Sequence, residues 1–384
     1  MKSKKSFATI FTDTENFHLV KDVGQIPYFM HKTGAYEAEL VTYRNNPEYP
    51  YLENEVRGLK IAFIANTGRF LYAEKGVLNF LRSSSKKIDV LHLFHFKKDN
   101  IPYLLLYKTL NPKGKVYVKL DMDIVFFKDY NRFFYSRYRV KNYLLKTLTN
   151  LHFKLVDLFS VETDEAREYL LKIYPELEQK LICIPNGIDD LYIHDNIKIK
   201  SFEEKENIMI TVGRIGTVQK NTELFLESLR LADLKDWKVY ILGPLEETFK
   251  PVIQHYFDVN PHLKDKVIFT GNITNRNELL EWYNRSKIFC MTSRFEGFPI
   301  SFAEALYFGN YIISTPVSSA SFVTDHGRLG IMAEADPASF AEAIETALSG
   351  SSLNKDRYQQ IRTYADKQIT WPGIIKRIVD HLEK

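Results

Sequence analysis

The chain has 384 residues, of which 45% are hydrophobic, so it is too long for one ordinary core and has enough apolar material for two. Its 2 cysteines stand in apolar runs and cannot form a disulfide scaffold, which excludes a disulfide-stapled secreted domain. No apolar run reaches the roughly 18 residues of a membrane span, and the stretch after Lys5 is too short for a signal peptide. We therefore expect a two-domain cytoplasmic protein.

The net charge of +4 conceals an asymmetry between the two halves of the chain. Residues 1–150 contain 25 Lys plus Arg and 14 acidic residues, an excess of 11 positive charges. Residues 151–384 contain 27 and 34, an excess of 7 negative charges. This difference predicts different partners for the two halves.

Two series of apolar runs alternate with helical stretches, as parallel βαβ units do. The first series of predicted strands is Phe7–Phe11, Ala38–Thr42, Lys60–Ile64, Val90–Phe94, Val116–Leu120, Leu158–Val161 and Leu181–Ile184. The second is Asn207–Val212, Trp237–Leu242, Val267–Thr270, Ile288–Met291, Tyr311–Ser314 and Gly330–Met332, with helices such as Thr222–Ala232, Asn277–Asn284 and Pro337–Leu348. We therefore predict two doubly wound α/β sheets.

The polar run from Asp195 to Glu206 has the composition of a linker. It divides the chain into a first domain over residues 1–195 and a second domain over 196–366. A C-terminal helix over 367–384 is expected to return to the first domain. Ligands of such sheets bind beyond the carboxyl ends of the strands, which predicts a site in a cleft between the domains.

Arg214 and Lys220 flank a glycine-containing loop between a predicted strand and a helix for which Asn221 is a possible N-cap. Arginine offers a rigid fork and lysine a mobile point charge, so with the helix dipole they can neutralise a diphosphate. On this spacing alone, two solvated surface cations would be the simpler interpretation.

A second motif follows about eighty residues later. Glu296 stands in a Gly-Pro loop, and Glu304 lies about one turn into a helix that Pro299 can begin. The helix N-terminus between the two carboxylates has free N–H groups, where phosphate binds well. A surface acid and an ordinary helical acid are the alternative, but the two motifs together favour a nucleotide-sugar site.

These motifs resemble the donor half of glycosyltransferase family 4. The resemblance rests on Val212-Gly213-Arg214 with Lys220, on Phe269-Thr-Gly-Asn-Ile273, and on Ser293-Arg-Phe-Glu296-Gly-Phe-Pro299 with Glu304 and Gly309. In addition, Ile184-Pro-Asn-Gly-Ile-Asp189 resembles the segment that closes that family's first domain, and Thr370-Trp371 resembles the start of its last helix. The motifs run from about Lys180 to the C-terminus, while the first half shares only the rhythm of strands and loops.

The resemblance implies a GT-B fold, with two Rossmann-like doubly wound domains facing each other across a cleft, the first binding the acceptor and the second the nucleotide-sugar donor. It also implies a retaining hexosyl transfer without cofactor or metal, in which the leaving diphosphate accepts the acceptor's proton. Arg214 and Lys220, beside Gly213, would stabilise that diphosphate. Glu296 would bind the donor-sugar hydroxyls and Glu304 the ribose diol. Backbone amides near Gly297 and Phe298 would contact sugar and phosphates, and the Ile273 backbone would contact the base, with a preference for uridine.

Two positions of the first half are further candidates. Gly24 follows the first predicted strand where the family usually has a glycine pair near the β-phosphate, and a plain turn before a helix is the alternative. Asp121 lies where many members have a histidine beside the donor sugar. Asp121-Met-Asp123 also has the spacing of a metal-binding pair, but two acids without a third ligand are weak evidence. We therefore expect Asp121 to contact a sugar or acceptor hydroxyl, with a loop-surface acid as the alternative.

His92 and His95 occupy alternate positions of one predicted strand. We interpret His92 as a core histidine and expect His95 to be the one that can face the cleft.

Basic and aromatic residues alternate from Lys128 to Lys146, a pattern typical of a membrane-surface segment. A solvated helix face and a nucleic-acid surface are the alternatives. The acidic second half argues against nucleic acid, so we expect an anionic membrane as partner.

The sequence thus predicts a transferase that moves a sugar from a nucleotide-sugar to a lipid-linked or cell-envelope glycan acceptor. It would work in the cytoplasm, peripherally on the inner face of the membrane. A soluble transferase that makes a small glycoside and a catalytically silent subunit of a glycosylation complex are the alternatives.

Overall fold

The computed structural model describes residues 4–97, 99–120, 139–350 and 352–384, and only the backbone of residues 139–146. The chain folds as two units. Unit 1 comprises Met1–Gly187 and Trp371–Lys384, and unit 2 comprises Ile188–Thr370. Each unit is built around its own parallel sheet.

The sheet of unit 1 is formed by β1 (Ser6–Ile10), β2 (Glu37–Thr42), β3 (Lys60–Phe63), β6 (Val90–Phe94), β7 (Lys115–Leu120), β8 (Leu158–Val161) and β9 (Leu181–Cys183). Its strand order is β3-β2-β1-β6-β7-β8-β9, and all pairings are parallel. Every residue of β6 is buried, as expected for a strand covered on both faces. A short antiparallel hairpin of β4 (Arg69–Phe70) and β5 (Ala73–Glu74) follows β3.

The helices of unit 1 are α1 (Asp22–Lys32), α2 (Pro50–Asn54), α3 (Lys75–Ser84), α4 (Asn100–Leu110), α5 (Arg139–Leu155), α6 (Asp164–Ile173) and α15 (Trp371–Leu382). The last of these buries Ile374, Ile375 and Ile378 at helical spacing. Trp371 packs so closely on Gly187 that a Cβ there would lie 2.6 Å from the indole ring. The end of the chain is thereby part of the core of unit 1.

The sheet of unit 2 is formed by β10 (Glu206–Val212), β11 (Lys238–Leu242), β12 (Val267–Gly271), β13 (Ser286–Met291), β14 (Tyr311–Ser314) and β15 (Gly330–Met332). Its order is β12-β11-β10-β13-β14-β15, again parallel throughout. The order reverses between β10 and β13. In open α/β sheets this reversal is where ligands bind, outside the carboxyl ends of the strands.

The helices of unit 2 are α7 (Asp190–Asn196), α8 (Thr222–Leu231), α9 (Lys250–Val259), α10 (Arg276–Arg285), α11 (Ile300–Tyr307), α12 (Ala320–Val323), α13 (Pro337–Ser349) and α14 (Lys355–Gln368). Several begin at a polar residue whose side chain accepts a hydrogen bond from the first turn. Asn275 accepts from the amide of Glu278, and Asn354 from that of Arg357. The prediction of two doubly wound α/β sheets is confirmed.

The boundary between the units lies at Gly187, inside the predicted domain-closing segment and before the polar run that we expected to be the linker. That run belongs to unit 2 because Lys205 is buried there. Its ammonium donates to the carbonyls of Tyr283, Asn284 and Ser286 at 2.8 to 3.0 Å, at the end of α10. A lysine that satisfies the last carbonyls of a helix is a structural residue.

Among the described residues, no helix combines the length and apolarity that crossing a bilayer requires.

Candidate active site

The loop between β10 and α8 carries Gly213, Arg214 and Lys220. Gly213 lies against a neighbouring turn, where a Cβ on Gly243 would stand 1.9 Å from the Gly213 carbonyl oxygen. Gly243 has φ 139°, a conformation open to glycine. The conformation of this loop therefore requires the backbones of Gly213 and Gly243 to approach each other closely at the carboxyl edge of the sheet.

Gln219 connects this loop with the second motif. Its side-chain oxygen accepts from Nη2 of Arg214 at 3.1 Å, and its side-chain nitrogen donates to the carbonyl of Phe295 at 3.3 Å. Its own carbonyl accepts from the amide of Arg294 at 2.8 Å. Gln219 thus holds the exposed Arg214 against the loop that contains Glu296, a role that the sequence did not indicate.

Asn221 occupies the N-cap position of α8, but its side chain does not cap the helix. Its backbone is left-handed, with φ 49°, and its side-chain oxygen instead accepts from Nη2 of Arg294 at 2.8 Å. The expected cap is therefore replaced by a second link between the two motif loops.

Lys220 and Glu296 form an ion pair. The Nζ of Lys220 lies 2.7 Å from Oε1 of Glu296, and the two side chains are 18% and 9% exposed. The same carboxylate oxygen accepts from the hydroxyl of Ser293 at 2.8 Å. Because β10 pairs directly with β13, the loops that follow these strands meet at the switch point of the sheet. The structure thereby joins two motifs that lie 76 residues apart.

Glu304 lies in α11, in the second motif, and is buried. The helix begins at Ile300, one residue later than expected, because Pro299 has an extended ψ of 139° and serves as the N-cap. Burial raises the pKa of the Glu304 carboxyl, while the charge of Arg276 and the Tyr283 hydroxyl oppose this shift. The pKa of Tyr283 is in turn raised well above its usual value, first by burial and then by the charge of Glu304.

Ile273 follows β12, whose last residue, Gly271, has φ 76°. The Gly271 carbonyl accepts from the amide of Gly243 at 3.0 Å. Ile273 itself is half-buried and packs on the core of unit 2. The backbone proposed for base recognition thus leaves the same edge of the sheet as the two motif loops.

Gly297 and Phe298 stand between Glu296 and α11. The Phe298 ring is buried and packs edge-on against Phe322, with centroids 5.5 Å apart. This contact anchors the turn that leads into the helix, so its amides are held in place by a side chain in the core.

Gly24 lies within the first turn of α1, not before the helix as expected. A Cβ there would lie 2.2 Å from the carbonyl oxygen of Leu19, so packing alone requires a glycine.

A charged cluster lies beside α1 in unit 1. Lys119, at the carboxyl end of β7, has no exposed surface and lies 2.7 Å from both Asp22 and Glu162. It also donates to the side-chain oxygen of Asn186 at 3.3 Å. The sequence feature that indicates this cluster is a lysine inside an apolar strand, because a buried charge needs partners of opposite charge. It was not among the residues predicted from the sequence.

His92 is fully buried, stacked on Tyr117 and bonded through Nδ1 to the hydroxyl of Thr9 at 3.0 Å. Burial lowers the pKa of His92 to about 3, so it is neutral in the core. His95 is half-buried and has a left-handed backbone with φ 60°.

Asp121, Asp123 and the basic segment lie outside the residues whose side chains are described.

Elsewhere in the chain, the side chains that are described contain no group of three His, Cys, Asp or Glu residues that could hold a metal ion.

The chain is similar to several known proteins in sequence and in fold. Residues 193–368 match the family model described as "Glycosyl transferases group 1". A probable sucrose-phosphate synthase of Thermosipho melanesiensis is 21% identical over 84% of this chain and 74% of its own length. A Campylobacter jejuni α-1,4-N-acetyl-D-galactosaminyltransferase, named for a diphospho-undecaprenol-linked acceptor, is 25% identical over 44% of this chain and 46% of its own.

A solved structure of HepE from Anabaena in complex with UDP and glucose has the same fold. Its TM-score is 0.67 with 12% identity, and the alignment covers 99% of each chain. The chain therefore has the GT-B fold with two Rossmann-like domains, and the findings together support a GT-B glycosyltransferase whose second unit carries the group 1 match.

Proposed function

We propose that the protein is a retaining hexosyltransferase of family 4. In this proposal it uses a UDP-sugar and transfers the sugar to a lipid-linked or cell-envelope glycan acceptor at the cytoplasmic face of the membrane. The observation that carries the proposal is the contact between Lys220 and Glu296 at the switch point of the second sheet, with Arg214 held beside it.

The chemistry follows from the charges. When the bond between the anomeric carbon and the diphosphate oxygen breaks, its electron pair stays on the diphosphate. Arg214 and Lys220 stabilise that growing charge, and fixed cations placed where charge develops commonly lower a reaction barrier more than any other single effect. The acceptor oxygen bonds to the anomeric carbon on the same face, and its proton passes to the departing diphosphate. No metal or cofactor takes part in this scheme.

Glu296 then has two tasks. Its carboxylate binds donor-sugar hydroxyls and also orients the Lys220 ammonium, because one oxygen already accepts from both Lys220 and Ser293. A bound diphosphate competes for the same ammonium, so donor binding and reorganisation of this pair are coupled.

The remaining donor contacts are distributed along the same edge. Glu304 binds the ribose diol, the Ile273 backbone binds the base, and the amides at Gly297 and Phe298 bind sugar and phosphates. For Gly24 and Asp121, in the first half of the chain, we propose contacts with the β-phosphate and with a sugar or acceptor hydroxyl, respectively.

Two comparisons support the finer parts of the proposal. The Anabaena neighbour is described with UDP and glucose, and the Campylobacter relative by a lipid-diphosphate acceptor. For this chain, a membrane acceptor otherwise rests on the positive charge of residues 1–150 and on the segment 128–146.

Calorimetry with UDP tests the division of roles between the two carboxylates. Glu304→Gln should weaken UDP binding about tenfold to a hundredfold, since a charge-assisted hydrogen bond contributes roughly 1.5–3 kcal/mol. Glu296→Gln should impair transfer while UDP still binds at least as tightly as in the wild type, because the variant removes the carboxylate that competes for the Lys220 ammonium. Equal loss of UDP affinity in both variants would contradict the assignment.

A second candidate is a soluble enzyme that glycosylates a small sugar phosphate. It is favoured by the relative from Thermosipho, whose match covers 84% of the chain. Such an enzyme would transfer a hexose to a sugar phosphate in solution and would not bind vesicles, so these two assays separate the candidates.

A further inference from the structure

The hairpin β4–β5 has an unusual loop. Arg69 pairs with Glu74 and Phe70 with Ala73, which leaves Leu71 and Tyr72 as a two-residue connection. Tight loops of this length favour glycine, asparagine and aspartate because their backbones need positive φ. Leu71 nevertheless adopts φ 54°. Leu71 thus occupies a position that its backbone disfavours, and with 80% of its surface exposed it gains little packing from the described residues of unit 1.

The same residues are exposed to solvent. Phe70 is 63%, Leu71 80% and Tyr72 62% exposed. Single apolar side chains on a surface are ordinary, but three consecutive exposed ones at a hairpin turn form a contiguous apolar patch, a feature typical of interaction sites. A local departure from folding rules without a structural gain is expected at functional positions.

The base of the hairpin is firmly held. The amide of Glu74 donates to the hydroxyl of Tyr103 at 2.8 Å, and the amide of Lys75 donates to the carbonyl of Gly68 at 2.9 Å. Ala73 has no exposed surface. The hairpin therefore presents its apolar tip from a fixed base.

Cations border this tip. Arg69 and Lys75 flank it in the chain and are exposed. The adjoining acid, Glu74, is mostly buried and lies 3.4 Å from Arg69. Arg44 is exposed and lies 4.2 Å above the ring of Phe63, at the end of the strand that leads into the hairpin. The chain next to the tip thus offers two exposed cations, Arg69 and Lys75, beside one largely buried acid, and the net charge of residues 1–150 is also positive.

We infer that Phe70, Leu71 and Tyr72 form a membrane-contacting tip that docks unit 1 on an anionic lipid surface. Aromatic and leucine side chains next to exposed Arg and Lys suit the interface of an anionic bilayer. A stable protein partner usually covers about 800 Å² on each side, far more than three side chains provide.

The tip follows β3 at the carboxyl edge of the first sheet, the edge at which open α/β sheets bind ligands. The inference rests on the proposed function in one respect, because a lipid-linked acceptor would have to reach that edge from the membrane. Vesicle binding itself is independent of catalysis and is tested separately.

The decisive variant is the double substitution Leu71→Asn with Tyr72→Gly. It installs the residues that a two-residue hairpin loop prefers, so the fold should be kept, while two apolar side chains are removed. With the full chain and phosphatidylglycerol vesicles, we expect the fraction bound to correspond to an affinity at least about tenfold weaker than that of the wild type. Val259→Ser is the matched control, since Val259 is 58% exposed in unit 2, and its binding should not change.

A direct probe of insertion is Tyr72→Trp. Its emission should shift to the blue with phosphatidylglycerol vesicles, be quenched by brominated acyl chains, and stay unchanged with pure phosphatidylcholine. Release of UDP from UDP-sugars, measured on the same samples, should be equal in the wild type and the double variant. If the wild type releases no UDP, the proposed function is contradicted. The vesicle experiments still test whether the tip binds a membrane.

Three results would overturn the inference: no binding of the wild type to the anionic vesicles, equal binding of the double variant, or no spectral shift of the new tryptophan. A higher KM of the double variant for a water-soluble acceptor, with vesicle binding unchanged, would instead assign the tip to the acceptor glycan.

Discussion

The ammonium of Lys220 lies 2.7 Å from Oε1 of Glu296, and each side chain is mostly buried. The pair joins the loop after β10 to the loop after β13. The two charges balance each other before any donor is present. Lys220 therefore has a structural partner in Glu296 and, in our proposal, a catalytic partner in the leaving diphosphate.

This double role predicts the behaviour of Lys220→Met. Removal of the cation leaves the Glu296 carboxylate without its counter-charge, so the free energy of unfolding should fall by about 1–3 kcal/mol. Adding Glu296→Gln should restore much of that stability, because the uncompensated charge is gone. Sugar transfer should stay lost in both variants. Urea titrations and transfer assays measure the two effects, and a double variant as unstable as the single one would refute the coupling.

Gln219 should determine the position of the Arg214 guanidinium. In Gln219→Glu the new carboxylate would hold the guanidinium as an ion pair and cancel charge that the diphosphate needs, so turnover should fall about tenfold or more. Gln219→Ala frees Arg214 without neutralising it and should have a smaller effect on kcat.

Steady-state kinetics with both variants checks this order, and Arg214→Ala is the reference for complete loss of the cation. If Gln219→Ala proved as damaging as Gln219→Glu, the side chain would act by loop packing and not through the charge of Arg214.

The buried Glu304 should make UDP binding depend on pH. Because burial raises its pKa, the carboxyl takes up a proton at a higher pH than an ordinary glutamate, and it then accepts hydrogen bonds less well. UDP affinity should therefore decline as the pH falls towards this raised pKa. Arg276→Gln removes a charge that opposes the shift, so the decline should begin at higher pH.

Calorimetry over a range of pH, with Glu304→Gln as the control, separates this effect from titration of the phosphates. The same control should be at least as stable as the wild type at neutral pH, since a folded-state pKa above the unfolded value means that ionised Glu304 opposes folding there. An identical pH profile in Glu304→Gln would remove Glu304 from nucleotide binding.

The buried cluster of unit 1 predicts a large effect of Lys119→Met. Asp22 and Glu162 would lose the cation between them, and breaking a buried ion pair typically costs about 3–5 kcal/mol. Adding Asp22→Asn and Glu162→Gln should recover part of this loss. Thermal unfolding of the three proteins measures it, and a fully stable Lys119→Met variant would contradict our description of the cluster.

Turnover is expected to survive exhaustive chelation, because Arg214 and Lys220 supply the positive charge. Loss of activity with EDTA and its return with manganese would direct attention to Asp121 and Asp123.

The sequence predicted the strands well because each sheet strand is a short apolar run between polar segments, as at Val90–Phe94. It assigned the two motifs to one site but did not predict the contact of Lys220 with Glu296, since the pairing of β10 with β13 is a long-range property. Gln219 gave no signal, because an uncharged loop residue becomes informative only when its three partners are known. The hairpin was missed because Leu71 and Tyr72 are not turn-forming residues.

The most direct test of the central claim is release of nucleotide from a sugar donor. The purified chain should be incubated with UDP-, GDP- and ADP-hexoses, with and without membrane extract, while free nucleotide and the anomeric configuration of the product are followed. We predict release from a UDP-hexose, retained configuration in the product, and loss of both in Lys220→Met. No release from any donor by the wild type, or equal release by Lys220→Met, would contradict the account.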